Sequence, residues 1–417
     1  MLTIRHALQI LVCLFAISAC TLLELEKQSE QLEDIASISG TIETSGVKKP
    51  VYVVLLKQYD THLEVLNQTI LDNSKHYEFD LLPGNYIVGA YIDENKNQLR
   101  DKSEKLVFYS QGTNIFQNIH LVADQHYIVD SFSVDKAVNP NGTDNIKIRL
   151  PKVKANIGKV VSLTDKMFAQ ENSSLGLWQP LTFLDKFGGG LFMLQAYELD
   201  KTLVIFVHGA LGNPTEFNQI IQTLDRDRYQ PWVLYYPSGI QLDLVSDYFL
   251  SSLKQMKTEY DFVDIHLITH SMGGLMSRSF LMKHQQEQAK FNVSLYMTIN
   301  SPLYGMDSAR SGVDSSPIII ASCRDLATDS DYIRRVHRWR MPDDTAYHLV
   351  FSYLPGEEGD GVVPMSSQLS LSLQDEATKT YGFEAQHAQI LKQEVFVQRF
   401  HKILAEHYEK LSLNKAD

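Results

Sequence analysis

The chain has 417 residues, of which 44% are hydrophobic, so it is long enough to build more than one core. Its formal net charge is -12 at pH 7, which leaves no overall positive field to hold nucleic acid. These values favour two globular domains and argue against a nucleic-acid function.

The N-terminus has the pattern of an export signal. A basic start at Arg5 and His6 precedes an apolar stretch, Ala7 to Ile17, that is too short to span a membrane permanently. The stretch ends in Leu14-Phe15-Ala16-Ile17-Ser18-Ala19-Cys20, which resembles a bacterial lipobox, in which the cysteine is acylated and becomes the mature N-terminus. We therefore predict a signal peptide over residues 1–19 and lipidation at Cys20; an ordinary signal with a chance cysteine is the alternative.

The residues after Cys20 indicate where an anchored protein would be sorted. Thr21 stands in the place of an inner-membrane retention aspartate, which by resemblance to sorting in Gram-negative bacteria implies the outer membrane of the cell envelope. Residues 20–37 are charged and leucine-bearing, and we interpret them as a tether. Cys323 would be the remaining thiol after processing, so no disulfide framework is expected.

Residues 38–136 have the texture of a small antiparallel β-sandwich. The predicted strands are Val51 to Leu56, Tyr77 to Leu81, Tyr86 to Ile92, Leu106 to Tyr109, Ile115 to Leu121 and Tyr127 to Val134. Leu82-Pro83-Gly84-Asn85-Tyr86 resembles the hairpin of transthyretin-like and carboxypeptidase-regulatory-like sandwich modules, which implies a binding or spacing role. A linker is predicted over residues 137–157.

One loop of this module has oxygen ligands at the spacing of a calcium loop. They are Asp93, Asn95, Asn97, Asp101 and Glu104. Gln98 stands where such a loop needs glycine, and strand-like segments flank it in place of helices. A solvated hairpin turn is the favoured interpretation, and a calcium site is the alternative.

From residue 158 onward, apolar strands alternate with helical patterns such as Leu242 to Tyr260. This alternation predicts an α/β domain with a mainly parallel sheet and helices on both faces. The predicted strands are Leu203 to Val207, Trp232 to Tyr236, Ile265 to Thr269, Val293 to Ile299 and His348 to Tyr353.

The strand from Ile265 to Thr269 stops at His270-Ser271-Met272-Gly273-Gly274. A tight strand-to-helix turn of this kind lifts a serine hydroxyl clear of the sheet and leaves the next backbone N–H free. The match to G-x-S-x-G is incomplete, because Thr269 occupies the place of the first glycine. Ser271 is the predicted nucleophile.

A second glycine-rich turn, His208-Gly209-Ala210-Leu211-Gly212-Asn213-Pro214, follows the strand Leu203 to Val207. Such a turn can aim a backbone N–H into the space above Ser271. The amides of Ala210 and Met272 are therefore the predicted oxyanion donors, each worth several kcal/mol when well placed.

Phe206-Val207-His208-Gly209 and His270-Ser271-Met272-Gly273-Gly274-Leu275, at their separation, resemble the α/β-hydrolase superfamily, near bacterial lipases and GPI-inositol-deacylase-like esterases. The segment from Ile299 to Gly305 also resembles those lipases. The resemblance extends from about residue 158 to the C-terminal helix. It implies the chain order nucleophile, acid, histidine.

That order directs the search for the acid and the base beyond Ser271. Asp360 lies in a loop whose D-x-V-V-P ending resembles the acid loop of such lipases, although Glu357 and Glu358 are alternatives. His387 lies in a loop before the last helix, where the superfamily places its histidine.

The other histidines near these motifs have simpler interpretations. His401 and His407 fall within the last helical pattern, which would hold them away from the loop end. His208 and His270 are expected to make structural hydrogen bonds. A metal site that uses His208, His266 and His270 has no supporting spacing.

Residues 304–345 separate two predicted strands and are long enough to form a cap over the site. The cap contains a basic run that could bind anionic head groups or an acidic substrate: Arg334, Arg335, Arg338, Trp339 and Arg340. An exposed helix face with ion pairs to Asp329, Asp331 or Asp343 is the favoured interpretation.

The sequence thus predicts an exported, lipid-anchored serine hydrolase that cleaves esters of hydrophobic acyl chains through a Ser271, His387 and Asp360 triad. It needs no cofactor, and its partners would be the ester or lipid substrate and the membrane that holds the anchor. An amide or thioester hydrolase is one alternative, because the same side chains serve each. A catalytically inactive cell-envelope binding lipoprotein is another.

Overall fold

The structure is a computed structural model that describes residues 19–71, 75–96, 100–101, 103–111, 115–134, 148–149 and 156–414, without the side chains of residues 19–22, 148–149 and 412–414. The predicted signal peptide up to residue 18 and most of the predicted linker lie outside these residues. Two compact units are present. The first comprises Met1–Glu30, Gly158–Phe249 and Asp261–Asp417, and the second comprises Gln31–Ile157 and Leu250–Tyr260.

The chain enters the described region as helix α1, Ala19–Glu33, over most of the predicted tether. No helix within the described ranges is long and apolar enough to cross a membrane.

The second unit contains two small β-sheets. Its strands are β1 (Ala36–Glu43), β2 (Val51–Tyr59), β3 (His62–Ile70), β4 (His76–Leu81), β5 (Gly84–Ile92), β6 (Leu106–Phe108), β7 (Ile119–Leu121), β8 (His126–Ser133) and β9 (Ile148–Arg149). One sheet has the order β4-β1-β8, and the other has the order β6-β5-β2-β3-β9 with β7 beside β5. Ile38 and Phe79 of the first sheet share a buried cluster with Val53 and Val88 of the second, so the two sheets form a sandwich.

The sandwich differs from the predicted antiparallel arrangement in two places. Strands β1 and β8 pair in parallel. Strands β4 and β5 lie in different sheets, so the segment Leu82-Pro83-Gly84-Asn85-Tyr86 is a crossover, and the hairpin prediction was wrong. Strand β4 pairs with β1 and β5 pairs with β2, while the Tyr86 hydroxyl donates to the Leu82 carbonyl across the bend at 2.8 Å.

The first unit is built on an eight-stranded sheet. Its strands are β10 (Asn156–Val160), β11 (Gly190–Met193), β12 (Thr202–Val207), β13 (Tyr229–Tyr235), β14 (Asp264–His270), β15 (Asn292–Ile299), β16 (Ala346–Tyr353) and β17 (Lys379–Glu384). Their order is β10-β11-β13-β12-β14-β15-β16-β17, and the six strands from β13 to β17 pair in parallel. Strand β11 is antiparallel to β13.

Helices connect these strands. They are α2 (Gln170–Trp178), α3 (Pro180–Phe187), α4 (Asn218–Gln222), α5 (Leu242–Glu259), α6 (Met272–Gln286), α7 (Asp307–Ser315), α8 (Ala321–Leu326), α9 (Asp331–Arg338), α10 (Met365–Gln368), α11 (Leu371–Glu376) and α12 (Glu394–Asn414). Short 3-10 helices cover Lys166–Phe168, Pro214–Phe217 and Gln389–Lys392. Helices α7, α8 and α9 fall within the predicted cap.

Helix α1 contacts the first unit through two polar side chains. The Gln28 side-chain carbonyl accepts from the Leu181 and Thr182 amides at 2.9 and 3.3 Å, which satisfies two free N–H groups at the start of α3. The Ser29 hydroxyl donates to the Ile319 carbonyl at 2.6 Å.

The parallel strands place the predicted site at one edge of the sheet. Strand β12 is buried from Leu203 to Val207, as expected for a parallel strand that is covered on both faces. Val207 is in register with Thr269 of β14, so the turns that follow these two strands emerge side by side. Ligands of open α/β sheets bind at the carboxyl ends of the strands, where these turns lie.

Candidate active site

Ser271 forms the strained turn that the sequence predicts. Its backbone lies at φ 53 and ψ -132, a conformation that costs a non-glycine residue on the order of 1–3 kcal/mol. The surroundings hold it there, because the Ser271 amide donates to the Ile299 carbonyl at 2.9 Å and the Gly274 amide donates to the Ser271 carbonyl at 3.0 Å. Helix α6 begins at the next residue.

Glycines permit the close approach of the two turns. A Cβ atom on Gly209 would lie 2.6 Å from the Ser271 Cβ, and one on Gly273 would lie 2.4 Å from the His208 carbonyl oxygen. Thr269 is accommodated without a glycine, because its buried hydroxyl donates to the Met297 carbonyl of the neighbouring strand at 2.9 Å. The departure from G-x-S-x-G therefore leaves the turn intact.

The predicted oxyanion donors flank Ser271. Met272 is the first residue of α6, and Ala210 lies in an exposed turn directly after Gly209. Neither amide donates to a protein acceptor within the described part of the chain. The next amide, that of Leu211, donates to the Ser238 hydroxyl at 3.2 Å, so Ala210 stays the predicted donor of this turn.

The structure brings Ser271, His387 and Asp360 together. His387 Nε2 lies 2.9 Å from Ser271 Oγ, and His387 Nδ1 lies 2.7 Å from Asp360 Oδ2. The other carboxylate oxygen of Asp360 accepts from the Val362 and Val363 amides at 2.9 and 2.7 Å. These bonds fix the carboxylate so that it receives Nδ1–H and leaves Nε2 as the acceptor for the serine proton.

Burial sets the protonation state of His387. Desolvation lowers the pKa of this imidazole, the hydrogen bond that His387 donates to Asp360 opposes that effect, and nearby His270 lowers the pKa further. The ring is therefore neutral near pH 7, which is the form that a general base requires.

His270 and Asn300 contact the other side of the base. His270 Nδ1 lies 3.0 Å from Glu216 Oε1, and His270 Nε2 lies 3.2 Å from the His387 carbonyl oxygen. Asn300 Nδ2 donates to the same carbonyl at 2.8 Å. No role for Glu216 or Asn300 was predicted from the sequence, because no motif spacing connects either residue to His387.

His208 is buried and makes structural hydrogen bonds, as expected. Its Nδ1 lies 2.9 Å from the Gly209 carbonyl oxygen, and its ring stacks on Tyr236 with centroids 4.3 Å apart. The Tyr236 hydroxyl donates to the His208 carbonyl at 2.7 Å. These contacts stiffen the turn that carries Ala210.

The alternative acids and bases lie elsewhere. Glu357 and Glu358 are exposed, and the carboxylate that accepts from His387 Nδ1 is that of Asp360. His401 contacts the Thr223 hydroxyl at 2.8 Å, while His407 packs against His266 with ring centroids 5.0 Å apart.

Most of the cap arginines pair with acids. Arg334 lies 2.7 Å from Asp331, Arg335 contacts Asp243, and Arg340 lies 3.7 Å from Glu376. Of the acids that the sequence analysis proposed as partners, only Asp331 is among these.

Arg338 is exposed and acts on Asp331 only at a distance, because no carboxylate of the described residues lies within salt-bridge distance of it. Trp339 donates to the Gln285 side chain at 2.6 Å, and the Arg278 guanidinium lies 5.3 Å from the centre of its ring. Binding of anionic groups by this basic run stays a prediction.

The calcium loop is only partly described, because Asn97 lies outside the described residues. The Glu104 carboxylate accepts from the backbone amides of Glu94 and Asp101, both at 2.8 Å, and the Asn95 side chain donates to Asp101 at 2.5 Å. Across the described residues, no group of three or more His, Cys, Asp or Glu side chains is arranged to hold a metal ion.

Comparison with known proteins agrees with this architecture. Residues 240–406, less than half of the chain, match a family described as alpha/beta hydrolase of unknown function (DUF915). No curated protein matches the chain. The sheet order, the turn at Ser271 and this match assign the α/β-hydrolase fold to the first unit.

Several solved structures are similar to part of the chain. The product of the gene lin2722 from Listeria innocua is 18% identical over 49% of this chain and 94% of its own, with a TM-score of 0.39. The mature lipase BlEst2 of Bacillus licheniformis is 16% identical over 50% of this chain and 94% of its own, with a TM-score of 0.41. Phospholipase PlaB of Legionella pneumophila is 17% identical over 40% of this chain and 44% of its own, with a TM-score of 0.34.

Proposed function

We propose that the protein is a serine hydrolase that cleaves carboxylic esters through an acyl-enzyme. The observation that carries the proposal is the continuous hydrogen-bonded chain from Ser271 Oγ through His387 to Asp360, at 2.9 and 2.7 Å. A nucleophile, a base within reach of it, and an acid that orients the base are the elements of acyl transfer.

The reaction follows from these positions. His387 Nε2 takes the proton of Ser271 as the hydroxyl oxygen attacks the ester carbonyl carbon, and the amides of Ala210 and Met272 donate to the carbonyl oxygen as it becomes negative. The imidazolium then protonates the leaving alcohol. Water, activated by the same histidine, releases the acid and restores Ser271.

Asp360 contributes orientation and charge. Its carboxylate accepts two backbone amides and His387 Nδ1, and it is 1% exposed. A charge held this way stabilises the imidazolium without any reorganisation during the reaction.

The choice of an ester over an amide or a thioester is tested by turnover of three substrates with the same acyl chain. We expect the ester to have the highest kcat/KM, and a series of chain lengths should favour longer chains. Ser271→Ala supplies the matched blank for each substrate. A higher kcat/KM for the amide or the thioester would change the proposed substrate class and leave the triad in place.

We further propose that Cys20 carries a lipid that anchors the protein in the bacterial cell envelope, at the outer membrane. Support comes from the lipobox-like sequence before Cys20 and from Thr21 after it. Incorporation of labelled palmitate in a bacterial host, followed by membrane fractionation, tests the anchor. Label in the natural protein that is absent from Cys20→Ser is expected, and equal label in both would exclude this site.

A further inference from the structure

A second histidine lies against the proposed base. His270 precedes Ser271 in sequence, is only 3% exposed, and its ring centroid is 4.9 Å from that of His387. The acyl-transfer steps above do not use it.

The partners of His270 determine its protonation. Nδ1 lies 3.0 Å from a carboxylate oxygen of Glu216, and Nε2 lies 3.2 Å from the carbonyl oxygen of His387. An ionised carboxylate and a carbonyl can only accept hydrogen bonds, so both ring nitrogens must donate. A histidine that donates from both nitrogens is an imidazolium.

The same contacts fix the backbone of His387 at three points. Its carbonyl oxygen accepts from His270 Nε2 and from Asn300 Nδ2, the latter at 2.8 Å. Its amide donates to the Asp360 carbonyl at 3.1 Å. The loop that carries the base is thereby tied to the residue before the nucleophile, to the residue after β15, and to the acid.

We propose that His270 is a positioning residue, held as an imidazolium by Glu216, that fixes the His387 backbone and disfavours a second proton on the His387 ring. The inference rests on the proposed serine hydrolase mechanism. It adds a charged pair, Glu216 and His270, that keeps the base neutral in mildly acidic solution.

The charges around the two rings support this assignment. Burial alone would lower the pKa of His270, but the Glu216 carboxylate, with further contributions from the His387 carbonyl and Asp360, raises it above its usual value. His208, on the turn after β12, is buried and lies within the field of both members of the pair, and burial lowers its pKa. His387 faces Asp360 and the pair of Glu216 and His270. Positive His270 is the nearer member of that pair, and it lowers the pKa of His387.

Glu216→Gln separates charge from geometry. A glutamine amide can donate to His270 Nδ1, so a neutral ring would still donate to His387 through Nε2. The hydrogen bonds persist, and the positive charge beside His387 is lost. The matched control is Glu406→Gln. Glu406 is a half-exposed residue of helix α12 whose carboxylate pairs with Lys379 and Lys402.

The rate of labelling by a fluorophosphonate between pH 5 and 9 measures the neutral fraction of His387. We compare the labelling rate of Glu216→Gln, divided by that of the natural protein, at the two ends of this range. This ratio should be roughly three- to tenfold lower at pH 5.5 than at pH 8.5, because His387 with a raised pKa becomes protonated at a higher pH. His270→Gln should shift the profile in the same direction, and Glu406→Gln should not. A constant ratio in Glu216→Gln would overturn the proposal, since a purely structural role lowers the rate equally at every pH.

Nitrogen-15 NMR of the histidine rings tests the charge without any reaction. His270, assigned by comparison with His270→Gln, should show two protonated nitrogens from pH 6 to 8 in the natural protein and one in Glu216→Gln. A neutral tautomer in the natural protein would overturn the inference even if labelling proceeds. An absence of labelling at any pH would instead refute the serine hydrolase mechanism while leaving the NMR result to decide the state of His270.

Discussion

The two ends of the parallel sheet use buried histidines in opposite ways. At the carboxyl ends, His387 and His270 each contact a carboxylate, Asp360 and Glu216, at 2.7 and 3.0 Å. Near the amino ends lies a second group, which we call the buried histidine cluster: His266 of β14, His348 of β16 and His407 of α12. Both ring nitrogens of His266 and Nε2 of His407 lack a hydrogen-bond partner among the described residues.

The difference shows what a buried imidazole needs in order to carry charge. Desolvation lowers the pKa of His348 and of His407 to about 4. His407 also lowers the pKa of His348, and both rings lower the pKa of His266. At the carboxyl ends, carboxylates offset this penalty. Paired carboxylates therefore make a positive charge tolerable at one end of the sheet, whereas burial without such partners favours neutral rings at the other.

Removal of the nucleophile should give the largest effect. We expect Ser271→Ala and His387→Ala each to reduce ester turnover by about 10⁶-fold, because neither residue can act without the other. The melting temperature should stay within about 2 °C of the natural protein. Circular dichroism checks that each variant is folded, so that a loss of turnover reports catalysis and not stability. Retained turnover in folded Ser271→Ala would contradict the assigned nucleophile.

Loss of the carboxylate should be the next largest effect. Asp360→Asn is expected to lower kcat by about 10⁴-fold and to retain measurable activity, because it disturbs the tautomer of His387 and not the nucleophile. Glu357→Gln and Glu358→Gln are the matched controls in the same loop. Full activity in Asp360→Asn would move the acid to one of those two residues.

Acidification should weaken the fold through the buried histidine cluster. The folded pKa of these rings lies below the unfolded value, so between about pH 6.5 and 4 the unfolded chain binds more protons. Stability is full above that window and falls as pH falls, by on the order of 2–3 kcal/mol for each of His348 and His407. Urea unfolding of the whole protein at pH 7 and at pH 5, followed by circular dichroism, measures the loss.

A substitution within the cluster sharpens this prediction. His407→Phe keeps an aromatic ring and removes one titrating group, so it should lose about 1–2 kcal/mol less between pH 7 and 5 than the natural protein. His126→Gln, which changes an exposed histidine of the sandwich unit, is the control. An unchanged pH dependence in His407→Phe would mean that the cluster does not govern acid stability.

The smallest effect concerns paired and unpaired charges on the cap. Arg338→Ala should raise KM for anionic lipid vesicles by roughly threefold to fivefold, since an unpaired arginine near an anionic surface contributes about 1 kcal/mol. Arg334→Ala should change it less than about twofold, because Asp331 already neutralises that charge. KM for a neutral soluble ester is the reference. Equal effects of both variants on both substrates would leave the arginines a structural role alone.

Sequence patterns predicted the parts of this molecule that local chemistry dictates. The apolar strands β12 and β14 and the glycines that follow them specify the two turns, and chain order brought Asp360 and His387 into consideration. Polar or short strands gave weaker signals: β1, β3, β9, β10, β11 and β17 were not predicted, and β9 falls within the predicted linker. Strand β17 lies at the sheet edge, where four of its six residues are exposed and no apolar run is needed.

The contacts around His270 could not be predicted from sequence. Glu216 is 54 positions from His270, and Asn300 is 87 positions from His387, so only the folded sheet brings these residues together. Thr269, in the place of the first glycine of G-x-S-x-G, weakened the match of the sequence to a nucleophile turn. Its hydrogen bond to the Met297 carbonyl shows that a neighbouring strand supplies the space and the acceptor that the motif does not encode.

Mass spectrometry of the protein after fluorophosphonate treatment tests the central claim most directly. The account predicts one phosphonyl adduct, on the peptide that contains Ser271, in the natural protein and in Glu406→Gln, and none in Ser271→Ala. An adduct on another residue, or no adduct on folded natural protein, would contradict it.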